Sequence, residues 1–538
     1  MSASLSRFLA IAVLCIAAGT LPAAVVPVSS LQFEPYAFET SRHGEIAAEV
    51  AFFEVPRRHD EPDGATIRLR VVRLPARHTP HEKAPPVPIV YLAGGPGGSG
   101  VGAARGSRWP VFDAMRANAD VLLLDQRGTG LSEPPPACPQ RHTFEPNEAA
   151  EPPAYLAALQ TIAARCAAFW RDQGIDLDVY NTIDSAHDVE ALRQALGVDR
   201  LSLWGTSYGT HLATAVLRYH GAHIERAVLM GMEGPDDTVK LPLAADRLLD
   251  RLGALVAADP GAAELDADVS GAVRRVLATL ASAPAQGRVR RLFGSTVVTI
   301  GVFDAQLAIA AAVGRSDSAR LLPMALAAAE QGDYDVLAEF VHAVREQIGT
   351  FNAMPLAMDI ASGVSPARMR QVDEAERASL LGPALNFPLP QIGEGLNIAD
   401  LGPAFRSPLR SSVPTLFISG TLDGRTPPAN AEAAIAGFEH AHRLTLEGAG
   451  HDDDLWLSHR EIPTRIAAFF AGDSPADARL QAPPLRFATS VTEEILGAVW
   501  QRAGVAGLGL AALVLAGLTG VAWWWRRRRL SSRPVATA

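Results

Sequence analysis

The chain is poor in cysteine and lacks a pattern of metal ligands. It contains three cysteines in 538 residues, without a Cys-x-x-Cys pair and without a cluster of histidine and cysteine at metal spacing. Structural zinc sites depend on such spacings. The sequence therefore gives no support for a bound metal, and we expect a function that uses neither a metal nor a cofactor.

Concentrated positive charge is also scarce. The formal net charge is −10 at pH 7, and the one dense basic run is "RRRR" at residues 526–529. Phosphate-binding surfaces need clustered cations, so nucleic acid is not an expected partner. No internal repeat of fixed period is present. What remains is ordinary globular composition, 48% apolar and 20% charged, in a chain long enough for two or three folding units.

The first 24 residues have the layout of a secretory signal peptide. An early Arg7 precedes an apolar run over residues 8–18, and small residues follow. The run is too short to span a bilayer. The sequence predicts export with removal of residues 1–24, while cleavage after Gly19 and cleavage near Ala24 both remain open.

Residues 503–525 form an uncharged stretch that ends in three tryptophans, and arginines follow at 526–529. This length spans a bilayer, the tryptophans suit its interface, and the arginines mark the cytoplasmic side. The sequence predicts a membrane anchor over 503–525 and a cytoplasmic tail over 526–538. The body would then lie outside the cytoplasm, on the periplasmic or extracellular face. A buried core helix and a removable sorting tail are the alternatives.

Cys138 and Cys166 are the two cysteines that remain after signal removal. An exported body can form disulfides, so we expect the two to pair. Closing a loop of about 27 residues would stabilise the fold by about 3 kcal/mol in the chain-entropy model. Two free buried thiols are the alternative.

Short apolar runs alternate with helical patterns along the chain. After a strand pair, "EIAAEVAFFEVPRR" and "ATIRLRVVRLPA", the runs are "VPIVYLAGG", "ADVLLLDQRG", "RLSLWGTSYGT", "IERAVLMGMEGP", "VPTLFISGTLDG" and "HRLTLEGAGHDD". Such alternation predicts an α/β fold with a mostly parallel, doubly wound sheet covered on both faces.

The sequence also predicts domain boundaries. Residues 237–408 are rich in alanine and leucine at helical spacing and predict an inserted helical domain, and the Pro-, Ala- and Asp-rich texture after Gly472 is typical of a linker. The predicted units are the signal peptide 1–24, the core in two parts, 25–236 and 409–472, the insertion 237–408, the linker 473–502, the transmembrane helix 503–525 and the tail 526–538.

Ser207 lies in "GTSYGT", directly after an apolar strand and before a helix. This is the context of a nucleophile elbow, in which glycines relieve crowding in a sharp turn that projects the serine hydroxyl. By itself the Gly-x-Ser-x-Gly pattern arises by chance in a glycine-rich chain. The interpretation therefore depends on whether partners for the serine exist elsewhere.

A glycine-rich loop, "GGPGGSG" at 94–100, follows another predicted strand. Glycine allows backbone N–H groups to approach a developing negative charge. We predict an oxyanion hole formed by the N–H groups of Gly95 and Tyr208. A phosphate-binding loop is disfavoured because the P-loop lysine and its spacing are missing.

Asp423 and His451 each end a late predicted strand. A serine hydroxyl needs an imidazole to take its proton and a carboxylate to orient that imidazole. The chain order Ser207, Asp423, His451 is that of an α/β-hydrolase, so we predict this catalytic triad. The competing acids and bases are Asp452, Asp453, His440, His442 and His459.

These blocks together resemble the α/β-hydrolase peptidases that include proline iminopeptidase and the secreted tripeptidyl aminopeptidases. The resemblance covers about residues 35–472 and includes "GGPGGSG", "DQRGTGLS", "GTSYGT", "PTLFISGTLDGRTPP" and "GAGH" in order. Ala93 stands where proline iminopeptidases usually carry histidine, which is closer to the tripeptidyl aminopeptidases.

The resemblance implies that the insertion caps the active site and that carboxylates bind the free α-ammonium of a peptide. Glu233 and Asp359 are the candidates, and ordinary structural carboxylates are the alternative reading of both. The sequence thus favours an exported, membrane-anchored serine aminopeptidase that acts on free peptide N-termini. An esterase or lipase-like hydrolase on the same fold and an inactive binding protein are the alternatives.

Overall fold

The computed structural model describes residues 31–77, 86–117, 119–291 and 294–490. The predicted signal peptide 1–24, membrane helix 503–525 and cytoplasmic tail 526–538 lie outside the described residues. Among the helices inside those ranges, none has the length and apolar character needed to cross a bilayer.

A ten-stranded sheet forms the centre of the described part. Its strands are β1 (Glu34–Thr40), β2 (Gly44–Pro56), β3 (Thr66–Leu74), β4 (Ile89–Leu92), β5 (Val121–Asp125), β6 (Leu201–Thr206), β7 (Ile224–Met230), β10 (Thr415–Gly420), β11 (Ala441–Glu447) and β12 (Ala478–Gln481), while β8 (Ala285–Arg290) and β9 (Ser295–Ile300) form a separate hairpin. The spatial order is β1-β2-β3-β5-β4-β6-β7-β10-β11-β12.

Helices cover this sheet and build the insertion. They are α1 (Gly100–Ala103), α2 (Trp109–Met115), α3 (Pro152–Asp172), α4 (Thr182–Leu196), α5 (Tyr208–His220), α6 (Pro242–Ala258), α7 (Val269–Ser282), α8 (Val302–Ala312), α9 (Ser316–Ala319), α10 (Leu322–Glu330), α11 (Asp335–Ile348), α12 (Ala353–Ser362), α13 (Pro366–Ala378), α14 (Gly402–Arg406), α15 (Pro428–Ile435), α16 (Asp454–Leu457) and α17 (Ile462–Phe470).

The sheet is mostly parallel, as the sequence predicts for an α/β-hydrolase. Strands β5, β4, β6, β7, β10, β11 and β12 run parallel to one another, and β3, β2 and β1 extend the sheet beyond β5 as antiparallel strands. Every residue of β4, β5, β6 and β10 is buried. Such burial requires helices on both faces, which explains the continuous apolar runs of the sequence.

The two faces of the sheet carry separate parts of the hydrophobic core. In β4, Val90 and Leu92 point to one face, and Ile89 and Tyr91 point to the other. On the second face the ring centroids of Tyr91, Phe112 and Trp456 lie 5.4, 4.8 and 5.0 Å from that of Trp204. Large rings packed this closely are difficult to displace, so the strand that leads into Ser207 has a rigid support.

Residues 237–408, which we call the cap insertion, are not entirely helical. The β8–β9 hairpin lies between α7 and α8 and packs against α11. Leu252, Val273 and Leu337 belong to a second hydrophobic core, most of which lies within this region. By contrast, Met354 and Met358 of α12 pack into the core on the first face of the sheet. The later part of the insertion is therefore joined to the hydrolase core.

The segment from residue 473 was predicted to be a linker, and this prediction is wrong for its described part. Residues Ala478–Gln481 form β12, parallel to β11. The Arg443 N–H donates a hydrogen bond to the Asp477 carboxylate (2.8 Å), and Leu480 and Phe487 are buried. A four-residue strand is too short to show a period in the sequence, and the surrounding prolines dominated the pattern. Residues 491–502 of the predicted linker lie outside the described ranges.

Cys138 and Cys166 form a disulfide, with their Cα atoms 5.4 Å apart. Cys166 lies in α3, and Cys138 lies in the loop that leads from β5 towards that helix. The Trp170 Nε1–H donates a hydrogen bond to the Pro136 carbonyl (2.9 Å). The disulfide and this hydrogen bond hold the loop against α3.

Candidate active site

Ser207 lies in a tight turn between β6 and α5. Its backbone adopts φ 55° and ψ −127°, a conformation that costs free energy for a residue with a Cβ atom. The Ser207 N–H donates a hydrogen bond to the Met230 carbonyl (2.9 Å). A Cβ atom at Gly205 would meet the Gly209 carbonyl, and one at Gly209 would meet the Leu92 carbonyl. Both glycines are therefore required by close backbone approach.

The structure brings Ser207, His451 and Asp423 together. The Ser207 hydroxyl lies 3.1 Å from His451 Nε2, and His451 Nδ1 lies 2.7 Å from Asp423 Oδ2. Asp423 also accepts hydrogen bonds from the backbone N–H groups of Arg425 (2.8 Å) and Thr426 (2.7 Å) and from the Thr426 hydroxyl (2.8 Å). These donors hold the carboxylate in one position, so this arrangement has the geometry for proton transfer from serine to imidazole.

His451 is buried, and its pKa is raised above the ordinary value of histidine. Burial lowers the pKa, but the charge of Asp423 and its hydrogen bond raise it by more, and Asp452 adds to the increase. Arg425 acts in the opposite direction. A raised pKa makes the imidazole a stronger base, at the expense of a larger protonated fraction at mildly acidic pH.

The glycine loop approaches the serine from the end of β4. A Cβ atom on Gly94 would lie 2.9 Å from Ser207 Cβ and 3.6 Å from Ser207 Oγ. Gly95 has φ 123°, a conformation that favours glycine. Tyr208 is the first residue of α5, and N–H groups in the first turn of a helix have no acceptor within that helix. The structure therefore places Gly94 against Ser207 and Tyr208 directly after it in the chain, while the role of the Gly95 and Tyr208 N–H groups as oxyanion donors stays a prediction.

Two residues that we did not single out in the sequence hold this loop in place. Asp125, at the end of β5, accepts hydrogen bonds from the Ser99 hydroxyl (2.6 Å) and the Val101 N–H (3.2 Å). The Gln126 side-chain amide donates to the Ala93 carbonyl (3.0 Å). Both belong to "DQRGTGLS", so the motif was visible but its role as a support was not.

The competing acids are turned away from the imidazole. Asp452 has φ 58° and lies 3.3 Å from Arg315 and 3.9 Å from Arg108. Asp453 accepts hydrogen bonds from the Ser107 hydroxyl (2.6 Å) and from Arg108 (2.7 Å). These carboxylates connect the histidine loop to its surroundings and leave Nδ1 of His451 to Asp423.

The competing bases lie outside the group formed by Ser207, His451 and Asp423. His440 is exposed. The His442 Nδ1–H donates to the Pro475 carbonyl (2.7 Å), and His459 Nδ1 accepts from the Glu461 N–H (3.2 Å).

A cavity of about 970 Å³ lies above Ser207, between the sheet ends and the cap insertion. The insertion contributes Phe340 and Phe387 to its walls, and the core contributes Ser207 and His451. A second cavity of about 420 Å³ shares several wall residues with the first. The predicted role of the insertion as a cap agrees with this placement.

Both predicted ammonium-binding carboxylates line the larger cavity. Glu233 is buried, and its Oε2 lies 3.7 Å from Nζ of Lys240. Asp359 lies in α12, where burial and the nearby charge of Glu233 raise its pKa to about 7, with Lys240 opposing the shift. No local sequence signal indicated Lys240, which becomes a neighbour of these acids through the fold.

Comparison with known proteins agrees with the fold and with the class of site. A family model described as alpha/beta hydrolase fold matches residues 87–271, and one described as TAP-like protein matches residues 397–477. The two matched regions include Ser207 in the first and both Asp423 and His451 in the second.

Curated relatives include several named peptidases. The chain is 30% identical over 191 residues to a tripeptidyl aminopeptidase of Streptomyces lividans, and the aligned region covers 34% of this chain and 35% of that protein. Serine protease Hip1 of Mycobacterium tuberculosis is 28% identical, with the same coverage. Proline iminopeptidase of Neisseria meningitidis is 27% identical over 29% of this chain and 36% of that protein. The aligned part therefore spans about a third of these relatives.

Proposed function

Because this chain is an α/β-hydrolase related to serine peptidases, we propose that it is a serine aminopeptidase that cleaves peptides from a free N-terminus. One observation carries the proposal: hydrogen bonds connect Ser207 to His451 and His451 to Asp423, and these residues lie at the base of a cavity with carboxylates in its wall. No bound metal or cofactor takes part in the proposed reaction.

The first half of the reaction forms an acyl-enzyme. Ser207 Oγ attacks the scissile carbonyl carbon while its proton passes to His451 Nε2, and Asp423 stabilises the imidazolium. The negative charge that develops on the carbonyl oxygen is stabilised by the N–H groups of Gly95 and Tyr208. His451 then gives the proton to the departing amine, the C–N bond breaks, and an ester on Ser207 remains.

The second half regenerates the enzyme. Water attacks the ester carbonyl and loses a proton to His451, and the tetrahedral intermediate uses the same two N–H groups. Collapse of that intermediate returns the proton to Ser207 Oγ and releases the acyl portion as a carboxylic acid. The released piece carries the original N-terminus of the substrate.

The carboxylates in the cavity wall support a preference for a free ammonium. Glu233 and Asp359 offer two carboxyl groups in a site where a substrate cation would lose much of its water, so a counter-charge is required. Lys240 balances part of this charge in the free enzyme. An incoming α-ammonium adds a second cation, which favours the ionised form of Asp359.

The decisive experiment compares the wild type with Ser207→Ala on matched substrates. We expect hydrolysis of peptides with free N-termini, little hydrolysis of the same peptides after N-acetylation, and no activity in the variant. Activity that survives in Ser207→Ala would contradict the mechanism. Equal rates on free and acetylated substrates, together with hydrolysis of simple esters, would favour the esterase alternative.

We further propose that the enzyme is exported and anchored by residues 503–525, with its active site outside the cytoplasm. The support is the sequence pattern at the two ends of the chain. Protease added to intact spheroplasts should digest the body of the protein. Digestion that requires lysis of the spheroplasts would contradict this topology.

A further inference from the structure

Arg425 places a positive charge in the wall of the catalytic cavity. Its side chain lines both the larger and the smaller cavity. Its backbone N–H is held by Asp423 Oδ1, and the guanidinium packs against Gly314 at the end of α8. Within the described part of the chain, its guanidinium has no carboxylate within ion-pair distance and donates no hydrogen bond.

The other cations that line the larger cavity are paired. Arg108 lies 2.7 Å from Asp453, and Arg315 lies 3.3 Å from Asp452. Lys240 lies 3.7 Å from Glu233. Burial lowers the pKa of Arg425, and the charges of Asp452 and Asp423 oppose this shift from beyond ion-pair distance. A desolvated cation without a carboxylate in contact is costly. An anion that enters the cavity would therefore gain most at this guanidinium.

Arg425 lines the same cavity as Ser207 and His451. It precedes Thr426, whose hydroxyl is 3.3 Å from His451 Nδ1, and its charge acts against protonation of His451. His451 must reach the departing amine in order to protonate it. The leaving portion of the substrate therefore shares this cavity with Arg425.

We propose that Arg425 binds a carboxylate on the leaving portion of the substrate. With Glu233 and Asp359 as the site for the ammonium, the preferred substrates are peptides that are positive at the N-terminus and negative just beyond the scissile bond. This inference rests on the proposed aminopeptidase function. The inference adds a substrate class to that function. Peptides whose leaving portion carries a carboxylate near the scissile bond are cleaved faster than peptides with a neutral leaving portion.

The carboxylate could be the C-terminus of the leaving portion or an acidic side chain on it, and matched leaving groups distinguish these two sources. All test peptides share the same free N-terminal portion. In the first pair the leaving group is alanine with a free carboxylate or alanine amide. In the second pair the C-terminus is blocked, and the leaving group is glutamate amide or glutamine amide. A preference within the first pair identifies a C-terminal carboxylate, and a preference within the second pair identifies an acidic side chain.

For the wild type we expect kcat/KM to be about 10-fold higher for the charged member of at least one pair, mainly through KM, as suits a charge-assisted contact. In Arg425→Gln this ratio should fall to about 1. Arg315→Gln is the matched control, since it removes a paired arginine from the same cavity and should keep the ratio of the wild type. The readout is a ratio between substrates, so a general loss of rate does not affect it.

A wild-type ratio near 1 in both pairs would overturn the inference without any variant. A high ratio that persists in Arg425→Gln would also overturn it. Failure of the proposed function looks different, because in that case the neutral peptides with free N-termini would not be cleaved, or would be cleaved equally by Ser207→Ala.

Discussion

Ser207 shows how much of this site depends on backbone geometry. The serine has a positive φ, and the glycines on either side of it leave no space for a Cβ atom. The serine side chain gains its exposed position at the cost of local strain, which the buried β6 and α5 hold in place. A small change at a neighbouring glycine should therefore affect folding as well as catalysis.

We predict that Gly209→Ala lowers the free energy of unfolding by about 3 kcal/mol or more, because the new methyl group collides with the Leu92 carbonyl. Thermal unfolding followed by circular dichroism checks this. Gly221→Ala is the control at the other end of α5, where φ is −55° and nothing lies within 4 Å of the added Cβ. Its stability should stay within about 1 kcal/mol of the wild type. Equal melting temperatures for all three proteins would contradict the close approach.

The acid–base pair gives a prediction for pH dependence. Asp423 raises the pKa of His451, and the reaction needs the neutral imidazole, so kcat should fall as pH decreases through a value above about 6.5. In Asp423→Asn this limb should move to lower pH, and kcat should fall by about 10³- to 10⁴-fold. Profiles of kcat at saturating substrate measure both effects. An unchanged limb in the variant would show that another group controls the titration.

The proposed role of Asp359 in substrate binding is connected to its effect on stability. Its folded pKa of about 7 exceeds the ordinary value near 3.9. The folded state therefore holds a proton that the unfolded state releases, and stability is lost as pH rises from about 4 through 7. We predict that Asp359→Asn is more stable than the wild type at pH 8, on the order of a few kcal/mol. This difference should disappear near pH 4.

The same variant should bind substrate less well. Loss of the carboxylate should raise KM for free N-termini by about 10-fold at pH 8, with a smaller effect at pH 6, where Asp359 of the wild type is already protonated. Melting curves and initial rates at both pH values test the two effects together. A KM that rises equally at both values would mean that ionisation of Asp359 plays no part.

The residues of the triad could be predicted because each one has a local signal. Ser207 follows a buried strand and lies between glycines, and Asp423 and His451 end strands of the same apolar type. Lys240 and Arg425 have no such signal. Their charge balance depends on which groups the cap insertion places nearby, and that information is not contained in the residues next to them.

At the scale of elements, the sequence predicted the strands with a strong apolar pattern, but it did not predict the short elements. The buried strands β4, β5, β6, β7 and β10 were visible as apolar runs. The β8–β9 hairpin was missed because the two buried positions of β8 are Gly287 and Val289, so its alternation of buried and exposed residues gives only a weak apolar signal in the sequence. Strand β12 was hidden for a different reason, since its four residues obtain their stability from β11 and not from their own composition.

Strand β12 allows a direct test of the corrected boundary. A protein that ends at residue 472 would lose β12 together with the buried side chains of Leu480 and Phe487, and would leave β11 as an exposed edge. We expect a lower melting temperature and aggregation for this protein. A protein that ends at residue 490 is the control and should behave as the longer chain does. Equal stability of the two would favour the linker interpretation.

At the scale of the whole molecule, the site combines segments that are far apart in sequence. Ser207 and His451 are separated by 244 positions, and Asp453 binds Ser107 across 346. Contacts of such long range require a costly loop closure before they stabilise the fold. On dilution from denaturant, we expect helical circular dichroism to recover before hydrolytic activity. Simultaneous recovery of the two signals would contradict this order.

The two sides of the cavity come from different parts of the chain, and this has a consequence for how such enzymes diverge. Loops at the strand ends of the sheet supply the atoms that break the bond, and residues 237–408 supply much of the opposite wall. Sequence drift in the insertion can therefore change which molecules enter while the reaction itself stays the same. Enzymes that descend from one ancestor would then differ in the substrates they accept long before they differ in the reaction they catalyse.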